Sequence, residues 1–147
     1  MARVPLGVRV LDVGTDHGHI PIHLALQGYT GTLYASDVAV GPLEAARRNA
    51  ERYGVSDRID FRLADGIAPE LAPGLDCVII AGMGGETILG IVQAATLLCP
   101  GTLLILQPQS KLETLLGFLN AGGFTDTHLT EVFEGRRKYT IITTVKL

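Results

Sequence analysis

The stretch Asp12-Val13-Gly14-Thr15-Asp16-His17-Gly18-His19-Ile20-Pro21 joins an apolar run, Val8 to Val13, to a short helical segment that stops at Gly28. An apolar strand, a glycine-bearing turn and a helix with proline in its first turn make the opening half of a βα unit. The alternation recurs downstream. Thr32 to Ser36 forms a second strand ending at Asp37, and Pro42 opens a helix carrying Leu43, Ala46, Ala50 and Tyr53 at helical spacing as far as Gly54. A third strand, Ile59 to Leu63, runs into Ala64-Asp65-Gly66. A fourth, Cys77 to Ala81, runs into Gly82-Met83-Gly84-Gly85 ahead of a helix over Glu86 to Leu98. Pro100-Gly101 turns the chain into a fifth strand, Thr102 to Leu106, closed by Gln107-Pro108-Gln109. Ser110-Lys111-Leu112-Glu113 then fits a capping box for a helix ending near Gly122-Gly123.

The final segments change character. Thr127 to Phe133 and Tyr139 to Val145 are β-branched and Thr-rich and flank Glu134-Gly135-Arg136, the pattern of an antiparallel hairpin. Five apolar strands joined by helices, plus that hairpin, predict an α/β fold with a seven-stranded, mostly parallel sheet. Ligands of such sheets bind beyond the carboxyl ends of the strands, which places a cleft at loops 14–19, 37–41, 65–68, 82–87 and 107–110. No linker or repeat interrupts the 147 residues, so 1–147 reads as one domain.

Apolar residues make up 47% of the chain and charged residues 18%, which excludes intrinsic disorder. No apolar run approaches the roughly 18 residues of a membrane span, and the N-terminus lacks a signal-peptide pattern, so a cytoplasmic protein without membrane contact is expected. Cys77 and Cys99 each sit in an apolar run without C-x-x-C spacing and read as buried free thiols. A net charge of −3 means that any polyanion must be met by local basic patches. The two candidates are Arg47, Arg48 and Arg52 on the second helix and Arg136-Arg137-Lys138 at the hairpin tip, each of which also reads as a solvated face.

The cleft loops carry the chemistry. Asp37 lies 19 residues after Gly18, the placement of a carboxylate that accepts hydrogen bonds from both ribose hydroxyls of an adenosine. A nicotinamide-binding turn would show G-x-G-x-x-G beneath the pyrophosphate, and that pattern is absent. Asp12 and Asp16 instead put two negative groups where a dinucleotide places phosphates. S-adenosylmethionine has no phosphate and carries a sulfonium and an ammonium, so charge sign favours it. Asp65-Gly66 fits an adenine site, with a plain Asx turn as the alternative. Gly82 and its neighbours put bare backbone beside a ligand or pack the following helix on the sheet. Gln107-Pro108-Gln109 suits a nucleobase edge or a polar turn. His17, His19 and His23 raise a zinc reading, but no carboxylate or cysteine completes a ligand set, and no metal is expected.

The motifs D-V-G-T-D-H-G-H-I-P from Asp12, A-S-D-V from Ala35, A-D-G from Ala64, I-A-G-M-G-G-E from Ile80 and L-Q-P-Q from Leu106 resemble the bacterial tRNA (adenine-22) N1-methyltransferase family. The resemblance runs in family order from about Val8 to the hairpin. It implies a Rossmann-like class I S-adenosylmethionine-dependent methyltransferase. It also implies cofactor contacts at Asp12, Gly14, Gly18, Asp37, Val38, Asp65, Gly66 and Gly82. Asp16, His17 and, more weakly, Gln107 are the candidates for orienting the target adenine. Asp16 stands where common class I methyltransferases have glycine, and no N/D-P-P-Y motif follows the fourth strand.

The family carries a helix before the first strand and a helical coiled-coil extension after the domain, whereas this chain ends at Leu147. The expectation is therefore a catalytic domain whose tRNA binding is impaired, with a homodimer through the uncovered strip as one further state. Attack of adenine N1 on the sulfonium methyl is the implied reaction. The rival readings are a cofactor-binding module without independent activity, a small-molecule methyltransferase and, last, a nicotinamide oxidoreductase.

Overall fold

A computed structural model describes residues 4–147. Its single sheet contains β1 (Val10–Val13), β2 (Leu33–Asp37), β3 (Ile59–Leu63), β4 (Cys77–Met83), β5 (Leu103–Pro108), β6 (Phe124–Glu134) and β7 (Arg137–Lys146). The order is β3-β2-β1-β4-β5-β7-β6. β1 to β5 are mutually parallel, and β7 runs antiparallel to both β5 and β6. The helices are α1 (His19–Leu26), α2 (Val40–Arg52), α3 (Gly85–Ala94) and α4 (Leu112–Asn120). The chain reverses direction across the sheet between β1 and β4, the switch point at which such sheets form a ligand crevice.

Alternation along β1 divides the interior in two. Leu11 and Val13 face a cluster with Val78, Ile80, Ile88 and Leu115, while Val10 faces one with Leu33, Ala35 and Ile79. Leu11, Ile80, Ile88 and Leu115 are completely buried, each stabilising the fold by roughly 1.5–3 kcal/mol relative to an exposed side chain.

Several boundaries differ from the sequence expectation for identifiable reasons. β1 begins at Val10 rather than Val8, because the Val8 amide donates to the Tyr29 hydroxyl at 3.1 Å instead of joining the ladder. α2 begins at Val40, and Tyr53 sits exposed at its C-terminal cap while Leu43, Ala46 and Ala50 are buried. α3 stops at Ala94, short of Leu98. The capping box at Ser110 does not form. Lys111, at φ 54°, occupies the cap of α4, and the Ser110 carbonyl instead accepts from the Gly85 amide at 2.8 Å. Cys77 is buried as expected, but Cys99 is exposed, its thiol directed at the Pro73 carbonyl at 3.3 Å. Burial pushes the Cys77 thiol up to about 12, helped by the charge of Asp76, which leaves it inert.

The hairpin is longer than expected. A bulge between Thr125 and His128, with Asp126 at φ 52°, lets pairing continue to Phe124 and Lys146. No helix is long and apolar enough to cross a membrane among the described residues.

Candidate active site

The carboxyl ends of β1, β2 and β4, with the loops after β3 and β5, enclose a cavity of about 500 Å³. Gly14 and Asp16 line it from the first loop, Asp37 and Val38 from the second, Asp65 and Gly66 from the third and Gly82 from the fourth. A cavity of about 410 Å³ shares Asp65, Gly66, Thr87 and Ile91 with it, so the groove continues over the first turns of α3. Another cavity, of about 470 Å³, lies against the C-terminal end of α1, where His23 is its one titratable side chain besides Tyr29.

One half of the main cavity is acidic. Asp37 is nearly buried, and its two oxygens accept from the Asp16 amide at 3.2 Å and the Ala39 amide at 3.1 Å. Those bonds fix the carboxylate at the strand end and leave lone pairs for a ligand. Asp16 itself stands at φ 54°, a left-handed conformation that asparagine and aspartate tolerate best among side-chain-bearing residues. Asp12 lies beneath this loop, only 4% exposed, and does not line the cavity. Burial pushes its carboxyl up to about 7, and the Asp37 charge adds to the shift; the Thr15 hydroxyl, short of a bonded geometry, works the other way. Thr15 Oγ1 and Ser36 Oγ are buried with no hydrogen-bond partner, two polar atoms left beside the acidic loop.

The other half is neutral and stitched together through the backbone. Gly82, at φ 76°, sits where the β4–β5 register shifts, a bulge that a side chain would strain. Its amide donates to Gln107 Oε1 at 3.0 Å, the Gln109 amide donates to the Met83 carbonyl at 2.8 Å, and the Gly85 amide donates to the Ser110 carbonyl at 2.8 Å. A Cβ at Gly85 would fall 2.5 Å from the Lys111 carbonyl oxygen and 2.6 Å from that of Ser110, so only glycine permits this approach. The Met83 side chain lies directly against Gly14 across the cavity.

Four other sequence candidates stand outside the cavity wall. Gly18, at φ 78°, starts α1 and packs against Ala46 and Ile22. His17 is exposed with its ring 3.8 Å from Asp16, and its carbonyl accepts from Asn49 Nδ2 at 2.9 Å. Gln107 is engaged with Gly82, and Asp12 is covered by the loop. Thr87 and Ile91 line the cavity without having been singled out from the sequence, and of the Gln107-Pro108-Gln109 segment it is Gln109, not the favoured Gln107, that lines it, its Nε2 3.9 Å from an ideal Cβ position on Gly82. Among the described residues no three His, Cys, Asp or Glu side chains gather as a metal site.

The chain is 33% identical over 106 residues to the tRNA (adenine(22)-N(1))-methyltransferase of Bacillus subtilis, covering 71% of this chain and 44% of that one. It is 32% identical over 151 residues to a Pyrobaculum calidifontis protein that by name is a cobalt-precorrin-6B C(15)-methyltransferase (decarboxylating), covering 96% of this chain and 75% of that one. Streptococcus pneumoniae Sp1610, solved in complex with S-adenosyl-L-methionine, superposes with a TM-score of 0.84 at 30% identity, covering 99% of this chain and 69% of that one. The chain thus spans less than half the length of the B. subtilis relative. The family model described as a methyltransferase domain matches residues 1–142, and the chain belongs to that family.

Proposed function

We propose that this domain binds S-adenosylmethionine in the acidic cavity and transfers its methyl group to N1 of an unpaired adenine in tRNA. The observation that carries the reading is the cavity at the switch point, acidic on one side and closed by bare backbone on the other. Asp37 accepts from the ribose hydroxyls, and Val38 covers the adenosine beside it. Asp65 and Gly66 meet the adenine ring where the groove runs over α3, and Gly14 and Gly82 let the ligand approach the backbone. Asp16 and Asp37 in the cavity wall suit a ligand that brings hydrogen-bond donors and positive charge.

When bound, this cofactor supplies a methyl group on a positively charged sulfur. Neutral adenine already has a lone pair at N1, so no strong base is needed and the protein contributes alignment and exclusion of water. N1 lies on the Watson–Crick edge, which requires an unpaired or flipped base. Asp16, in the cavity wall, faces the positive charge that develops on the base, with His17 beside it. Gln107 holds Gly82 in place, and Gln109 offers a free carboxamide to the exocyclic amine. The reaction belongs to the cytoplasm, where free thiols such as Cys77 and Cys99 persist.

Calorimetry with S-adenosylhomocysteine, paired with transfer of a radiolabelled methyl to unmodified tRNA, tests the reading. Binding and transfer to an adenine support it. Binding without transfer supports the alternative of a cofactor-binding module without independent activity. Absence of binding overturns both. Methylation of a small-molecule acceptor with no transfer to RNA would favour the precorrin-type relative instead.

A further inference from the structure

The β6–β7 hairpin has a shape and composition that the cofactor site does not account for. Pairing between β5 and β7 ends at Leu106 opposite Ile142, whereas β7 begins at Arg137. β5 itself runs on to Pro108, level with Thr140, so residues 137–139 extend beyond the strand end, a projection of about 10 Å at the usual rise of an antiparallel strand. β7 is antiparallel to β5, so this overhang lies on the carboxyl-end side of the sheet, the side on which the cofactor cavity opens. From β4 to β6 there are three strand steps, about 14 Å. The hairpin stands beside the cleft at a distance that a few nucleotides span.

Its tip is not built like a buried edge. Gly135, at φ 62°, leads a two-residue turn with Arg136. Phe133 is 65% exposed, a large aromatic ring with no core to enter. Lys138 pairs with Glu131 at 3.4 Å, and Glu134 lies opposite Arg137 in register without an ion pair to it. Among the described residues Arg136 and Arg137 have no carboxylate partner, and the Arg137 guanidinium lies 5.7 Å from the centre of the Tyr139 ring. Phe133 pairs in register with Lys138 and Glu134 with Arg137, so the exposed Phe133 ring and the Arg137 guanidinium stand on opposite faces of the tip. A single strand that wraps the tip meets charge for its phosphates on one face and a flat surface for a base on the other.

We propose that the β6–β7 tip is an RNA-docking prong. Arg136 and Arg137 hold phosphates flanking the target adenine, and Phe133 stacks on a neighbouring unpaired base. This rests on the reading of RNA as substrate, and it adds a surface of the domain itself that contributes to RNA binding.

The test uses the full chain, an RNA hairpin with unpaired adenines in its loop, fluorescence anisotropy for binding and radiolabelled methyl transfer. The double variant Arg136→Ala/Arg137→Ala should weaken RNA binding about tenfold and lower the slope of log affinity against log salt by about 1.4, as expected for two single-strand phosphate contacts. Phe133→Ala should weaken it five- to tenfold, and Phe133→Tyr should restore it. Affinity for S-adenosylhomocysteine and the melting temperature should stay as in the parent, since all three side chains are exposed. RNA affinity unchanged in both sets of variants overturns the proposal. So does loss of self-association in the variants with RNA binding intact, which would give the tip to a second copy of the chain. RNA binding through the tip without methyl transfer would leave the prong standing and sink the reaction, while transfer at parental KM in the variants would do the reverse.

Discussion

The two halves of the cleft hold their shape by different means. The side built from β1 and β2 is acidic, with Asp37 gripping two backbone amides and Asp12 buried beneath at a cost in ionisation. The side built from β4 and β5 carries no charge at its closest contacts and is fastened by three hydrogen bonds to backbone amides across the loops. The acidic side turns the carboxylates of Asp16 and Asp37 to the cavity, and Asp37 keeps lone pairs beyond its two amide bonds. The neutral side pairs its backbone amides within the protein and turns the Gln109 carboxamide to the cavity. One half thus owes its shape to carboxylates and the other to backbone hydrogen bonds.

Substitutions can break that contrast. The largest expected effect is on the neutral side, where Gly85→Ala drives a methyl group into two backbone carbonyls and should lower stability by about 3 kcal/mol, read by thermal unfolding. A wild-type melting temperature would show that the two loops part easily. On the acidic side Asp37→Asn should weaken S-adenosylhomocysteine binding about a hundredfold by calorimetry, the size of two charge-assisted hydrogen bonds, with a smaller change in melting temperature.

Asp12 adds a pH dependence. Its folded-state value of about 7 lies above the unfolded value of 3.8, so the folded chain holds the extra proton between them and stability falls as pH rises through that window. From pH 5 to pH 6.5 the loss from this group should be about 2 kcal/mol. Asp12→Asn should flatten the decline, and parallel denaturation curves for parent and variant across that range would refute the assignment. The smallest expected effect separates the two glutamines. Gln107→Ala should lower kcat about tenfold by releasing Gly82, whereas Gln109→Ala should mainly raise KM for RNA, a split read in steady-state methyl transfer.

Much of the fold could be read from the chain because strands such as Cys77 to Ile80 and Leu104 to Leu106 are buried runs bounded by turn residues. The acidic side was legible in part: Asp37 and Asp65 stand at strand ends and line the cavity with Asp16, whereas Asp12, expected at the cofactor, faces inward along β1 and lies beneath the loop. What escaped sequence reasoning depends on contacts between distant segments. Ser110 has a good local capping pattern, yet its carbonyl is claimed by Gly85, and the cap passes to Lys111. Gln107 and Gln109 look interchangeable on either side of Pro108, and only the bulge at Gly82 decides that one turns inward and the other lines the cavity. Cys99 sits in as apolar a run as Cys77, but the chain there is a turn after α3 has ended, and nothing covers it.

The stitched loops between β4 and β5 also have a consequence in time. Amide protons of Gly82, Gln109 and Gly85 are each tied to an acceptor on the facing segment, so they should exchange with deuterated solvent as slowly as the sheet they extend. A wall of that kind does not close over its guest by bending. The slow-exchanging edge supplies a fixed frame against which any movement of the opposite rim, around Asp16 and His17, can be measured.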